Sequence, residues 1–176
     1  MNAKKLLFIA IVSIFPFITS CNKEIEPVDL TGDWYVDTSS VQLFISVNTN
    51  VLTQNQAAYN YLEENFNRIR LNVKQLRRVT FSGINQVAFR YSEVEIYTGT
   101  FVQDVREFVV RNDKFPNGLY GASDGTALEL YYLRTDMMNI LEDMLTDLDP
   151  PFSSFEDLIM NFEAGTRYLR IPTSNF

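Results

Sequence analysis

The chain has 176 residues, 46% of them hydrophobic, which suits one domain with a sizeable core and argues against wholesale disorder. It contains no histidine and one cysteine, Cys21. That excludes a Ser-His-Asp triad, a Cys-His pair, a His-ligated metal, an intrachain disulfide and a Cys-rich zinc site. The formal net charge of −7 speaks against nucleic acid as a partner, because phosphate binding needs a basic surface.

The N-terminus carries an address. Lys4 and Lys5 precede an apolar run from Leu6 to Ile18, interrupted by Ser13 and Pro16. As a helix this run rises about 20 Å, short of the roughly 30 Å hydrocarbon core, so it reads as a signal segment and not a permanent span. Ile18-Thr19-Ser20-Cys21 then resembles the bacterial lipobox, an aliphatic residue and two small residues before a cysteine. The resemblance implies cleavage between Ser20 and Cys21. The Cys21 thiol would take a diacylglyceryl unit and the new amine a further acyl chain such as palmitate. Each buried CH₂ adds about 0.8 kcal/mol to such an anchor, so membrane lipid is the expected partner of Cys21. Residues 1–20 are then a signal peptide, 21–29 the lipidated cysteine and its tether, and 30–176 one β-rich domain. Asn22 is not the aspartate that resembles an inner-membrane retention signal. The acid-containing stretch Asn22 to Pro27 is similar to the export signals of Bacteroidota lipoproteins, which points to the outer membrane and leaves the facing open.

The domain opens on Leu30-Thr31-Gly32-Asp33-Trp34-Tyr35-Val36, turn formers followed by a bulky β-favouring run. Val41 to Val47 predicts a second strand. Tyr59, Leu62, Phe66 and Ile69 recur at helical spacing and predict an amphipathic helix near 53–70, with Thr53 as its cap. Arg78 to Phe81 and Gln86 to Tyr91 flank a hairpin loop, Ser82 to Asn85. Val94 to Phe101 alternates with period two, and Glu107 to Arg111 follows. Asn117-Gly118 has the composition of a type I′ turn, and Asp124-Gly125 precedes a strand in Thr126 to Leu133. A helix is expected near 134–148, stopped by Pro150-Pro151. Ser153 and Glu156 fit a capping box for a third helix near 154–162, ended by Gly165, before a last strand from Tyr168 to Ile171.

Eight or nine short strands at turn-separated intervals, with one early helix and two late ones, predict a mainly β fold. Gly32-Asp33-Trp34 at the entry to the first strand of a lipidated chain resembles the Gly-x-Trp signature of lipocalins and lipocalin-like barrels. The resemblance implies an antiparallel barrel of about eight strands. It also gives Gly32 and Trp34 a structural, barrel-closing part, with a basic residue of the last strand, Arg170 or Arg167, packed across the indole. The early insertion and the second late helix depart from that pattern. The alternative is an α+β fold with a curved antiparallel sheet packed on helices.

No constellation for catalysis stands out, and no cofactor or metal is implied. Glu93 and Glu95 read as the solvated face of a strand. Glu142, Asp143, Asp147, Asp149, Glu156 and Asp157 read as solvated helix faces without calcium-loop spacing. The loops Asn112 to Gly118 and Ala122 to Gly125 read as turns. Aromatic residues are numerous, with nine tyrosines. Tyr91, Tyr97, Tyr120 and Tyr131 are candidates for a ligand-binding wall, against the competing reading of core packing. The expectation is a non-enzymatic module that binds a small apolar or amphipathic ligand or a glycan. The alternative is an accessory subunit of an outer-membrane complex, docked on an envelope protein through its helices.

Overall fold

Alternation of apolar and polar residues is what shapes the domain in the computed structural model, which describes residues 26–170. The lipobox, with Ser20 and Cys21, lies outside the described residues. Nine strands form: β1 Gly32–Val36, β2 Gln42–Val47, β3 Arg78–Ser82, β4 Gln86–Arg90, β5 Ile96–Asp104, β6 Glu107–Asn112, β7 Leu119–Ser123, β8 Ala127–Tyr132 and β9 Ile159–Arg170. Three α-helices accompany them: α1 Gln56–Val73, α2 Arg134–Met144 and α3 Phe152–Leu158. The strands from β3 to β9 run as one antiparallel meander, and β1 joins β3 to β9. The result is a closed eight-stranded antiparallel barrel of lipocalin-like form, not the open curved sheet. β2 is the extra strand and pairs with β9 alone among the described strands.

β9 organises this closure. One edge pairs with β8 from Ala164 to Leu169. The other edge is shared: β2 covers Ile159 to Gly165, and β1 covers Tyr168 to Arg170. Between these, Val36 faces Tyr168 and Gln42 faces Gly165, so six steps along one chain match three along the other. The loop that absorbs the difference is fixed by Asp37, whose carboxylate accepts hydrogen bonds from the backbone and hydroxyl of Ser39.

This strand is also where sequence patterning misleads. Phe155, Leu158, Ile159 and Phe162 match a helical stripe, so a helix to residue 162 is the natural expectation. The helix instead stops at Leu158, with Ile159 already extended, and its N-cap is Pro151 without a side-chain cap. Ile159 to Arg170 makes twelve residues of strand, because β2 and β8 offer it two ladders of partners. Gly165 is a mid-strand residue and not a helix stop. The second helix ends at Met144 and not 148, since the Thr146 backbone and hydroxyl both donate to the Asp149 carboxylate and turn the chain away. The first helix runs from Gln56 to Val73, and its buried face is Ala58, Tyr61, Leu62, Ile69 and Val73. Phe66 is left exposed, and Asn55, not Thr53, is the N-cap residue. Asn117-Gly118 does not form a type I′ turn, since Asn117 lacks the positive φ it needs. The Gly118 N–H donates to the Phe115 carbonyl, which makes Pro116 and Asn117 the central residues of the turn.

An eight-stranded barrel is just wide enough for side chains to fill or for one small ligand to enter. Here side chains fill it. Trp34, Phe81, Phe89, Phe108, Tyr132 and Tyr168 are among the largest fully buried residues. Phe81 meets Phe101 and Phe108 edge to face at ring separations of 4.9 and 5.3 Å. One end of the barrel is sealed by Trp34. Its indole N–H donates to the Leu30 carbonyl at 2.8 Å, and the Arg170 guanidinium stacks over its ring at 4.4 Å. Arg170, not Arg167, takes this place, and the same guanidinium donates to the Asp29 carbonyl. Gly32 precedes the indole at φ +117°, a conformation that side chains resist even though open space surrounds it. The incoming segment closes over the same end: the Val28 N–H donates to the Val105 carbonyl, and the Gln103 amide donates to the Val28 carbonyl.

Replacing Trp34 by Ala should therefore cost about 3–5 kcal/mol in urea denaturation, the range for deleting a large buried aromatic. Arg170→Met should cost about 1–3 kcal/mol, from the cation–π contact and the carbonyl it satisfies. Equal stability of the Trp34→Ala protein and the parent would contradict this account of the sealed end.

Candidate functional site

The opposite end of the barrel is its mouth, where β4, β6 and β8 finish and β5 and β7 begin. The helices lie on this side. Tyr61 of α1 packs edge to face on Phe155 of α3, at 5.5 Å. The loop between β6 and β7 enters the mouth. The Asn112 carboxamide oxygen accepts the backbone N–H groups of Lys114 and Phe115, a local turn that fixes the direction of both side chains. Phe115 plugs the opening, stacked edge to face with Phe89 and Tyr132, each at 5.9 Å.

Beside this plug, Lys114 is clasped by two aromatic faces. Its Nζ lies 4.3 Å from the ring centre of Tyr91 and 5.6 Å from that of Tyr97. The two rings pack edge to face at 5.7 Å. Glu95 approaches the ammonium at 4.0 Å, the outer limit of an ion pair. A recess of about 190 Å³ opens here, lined by Tyr91, Lys114, Phe115 and Tyr132 from the barrel and by Asn72, Ile140, Asp143 and Met144 from the helices. Burial pushes the Tyr91 phenol well above its ordinary range, reinforced by Tyr132 and Glu95. Burial raises Tyr97, Tyr132 and Tyr168 as well. All four phenols therefore stay neutral, hydrogen-bonding groups at ordinary pH. The Tyr168 hydroxyl donates to the Leu76 carbonyl.

The four tyrosines singled out in the sequence divide into two groups. Tyr91 and Tyr97 meet at the mouth. Tyr120 and Tyr131 face the other way, directly opposite one another on the outer wall. Register extends their row across the barrel, from Val102 and Val109 through Tyr120 and Tyr131 to Gly165 and Gln42. Val102, Tyr120, Tyr131 and the nearby Phe44 are exposed. Two shallow grooves, each about 540 Å³, meet at Tyr131. The next outward row is charged, with Asp104, Glu107, Glu129 and Arg167. The Tyr131 hydroxyl donates to Glu129 at 2.6 Å, and its pKa is pushed up to about 12, first by that bond and then by burial.

Lys114 is the candidate site residue that sequence reading passed over, because its loop has the composition of an ordinary turn. The signal was Phe115, a large aromatic in an otherwise polar loop. Glu93 and Glu95 do not share a strand face. β5 starts only at Ile96, and both acids lie in the loop before it, Glu93 paired with Arg90 at 3.2 Å. The helix acids remain solvent-facing, apart from the partly covered Asp149, and no cluster able to hold a metal ion occurs among the described residues. Comparison of the chain with family models, with curated proteins and with solved structures finds no match.

The aromatic clasp has a direct test. Tyr91→Leu should release the Lys114 side chain, seen by NMR as loss of the ring-current shift of its ε-methylene protons. The cost in stability should be about 1–2 kcal/mol, from the cation–π contact and the paired rings. An unchanged ε-methylene shift would contradict the clasp.

Proposed function

We propose that the protein is an envelope lipoprotein, anchored through acylated Cys21, whose barrel is a non-enzymatic binding module for a small amphipathic ligand. The observation that carries this reading is the contrast between the two ends of the barrel. Aromatic side chains fill the interior and Trp34 seals one end, whereas the mouth keeps a recess lined by Tyr91 and by Lys114, whose ammonium lies over the Tyr91 and Tyr97 rings. The recess is smaller than the roughly 300–1,000 Å³ of most ligand pockets, so the ligand is a small one.

Anchoring at Cys21 also gives the module an orientation. Val28 is held at the sealed end by its bonds to Val105 and Gln103. Six residues separate it from Cys21, and the seven chain steps between the two reach at most about 25 Å. So short a tether favours an arrangement in which the sealed end faces the membrane and the mouth opens away from it. Outer-membrane residence is part of the same proposal and rests on the tether composition around Asn22 to Pro27.

A second reading is an accessory subunit of an outer-membrane complex. The exposed row of Val102, Tyr120 and Tyr131, with Phe44 beside it, favours it, since contiguous exposed apolar surface marks interaction sites. The partner would then dock on the barrel wall and not on the helices.

Two measurements test these proposals. Cys21→Ala should move the protein from the membrane fraction to the soluble fraction, and unchanged membrane association would refute the anchor. Native mass spectrometry of the protein purified from its own cells should reveal a bound small molecule. A clean mass, together with a protein crosslinked through the Tyr120–Tyr131 wall, would transfer support to the second reading.

A further inference from the structure

Building on the binding-module reading, we infer that the mouth recess takes a small monocarboxylate with a short apolar tail. Two features of the recess match the parts of such a molecule. The first is a cation held in place. Lys114 is fixed by the faces of Tyr91 and Tyr97, yet the one carboxylate within ion-pair distance among the described residues, Glu95, stands off at 4.0 Å. An incoming carboxylate can approach closer than that and form a charge-assisted hydrogen bond with the ammonium.

The second feature is an apolar part of the wall. Val73, Phe115, Ile140 and Met144 border the recess, from α1, the plugging loop and α2, beside the polar Asn72, Gln75 and Asp143.

Charge sets the limit on what enters. Glu95 flanks Lys114, and the exposed Asp143 stands at the lip. A second negative charge on the ligand would meet both, so dicarboxylates and phosphate esters are disfavoured while a monoanion is accepted. The volume of about 190 Å³ keeps the tail to a few carbons.

The test is an NMR titration of the purified full chain with hexanoate, with hexanol and adipate as comparison probes. Saturable shifts are expected at the Lys114 ε-methylene and at the Ile140 and Met144 methyl groups. Adipate should bind at least about tenfold more weakly than hexanoate. Lys114→Met should weaken hexanoate at least about tenfold and leave hexanol unchanged, which corresponds to loss of one partly buried ionic contact. Ile140→Trp, which fills the recess, should abolish the shifts of both probes at Lys114. If hexanol binds as tightly as hexanoate, or Lys114→Met binds hexanoate normally, recognition of the carboxylate is overturned while the recess remains a binding site. If no probe shifts these residues, the inference falls. The module reading then stands or falls separately, on whether native mass spectrometry of the cell-derived protein finds a bound molecule.

Discussion

Three residue pairs hold the barrel shut. Trp34 faces Arg170, Tyr35 faces Leu169 and Val36 faces Tyr168, and beyond them β9 turns its edge to β2. So short a seam has few backbone bonds to offer, and the side chains reinforce it. Trp34 and Arg170 are direct cross-strand partners, and their cation–π contact lies inside the seam. On its far side Trp34 pairs with Val79, so the indole sits where three strands meet. The Leu30 and Asp29 carbonyls, bonded to the indole N–H and the guanidinium, tie the entering segment to the same point. One tryptophan thus couples closure of the sheet, the seal of one end and the course of the N-terminal segment.

Closure at that end decides where the barrel stays open. With the interior occupied by packed aromatic rings, the deep cup that an eight-stranded barrel can offer is absent along most of its length. What is left is the mouth, roofed by helices that the chain inserts after β2 and after β8. The plug at the mouth comes from Phe115, and the charge beside it from the next residue back, Lys114. The plug and the clasped ammonium are therefore positioned by one turn, itself set by the Asn112 side chain. The outer wall supplies a different surface, broad, shallow and bordered by charge, that suits contact with another macromolecule better than enclosure of a small one.

Much of this was legible in the residue pattern. Period-two alternation located the strands, and turn residues such as Gly83 and Asp124-Gly125 located the hairpins between them. Gly32-Asp33-Trp34 pointed to a barrel. What pattern could not resolve was long-range pairing. Ile159 to Phe162 carries apolar residues at a spacing compatible with helix and strand alike, and only the ladders to β2 and β8 decide for the strand. The same limit applies to the tyrosines. Tyr97 and Tyr120 both lie on alternating strands, yet one faces in and the other out, which follows from strand register and not from the residues themselves. Lys114 was hidden for a further reason: its role depends on Tyr91 and Tyr97, which belong to an earlier hairpin.

The central claim is closure of the barrel through the β1–β9 seam, and native-state amide hydrogen exchange tests it most directly. In a closed barrel the backbone amides of β1 and of the end of β9 that bond across the seam are paired and should exchange as slowly as those in the middle of the meander, near the global unfolding free energy. In the Trp34→Ala protein that protection should fall selectively at the seam. Rapid exchange of the seam amides in the parent protein, with protection kept from β3 to β8, would mean an open sheet and would contradict the account.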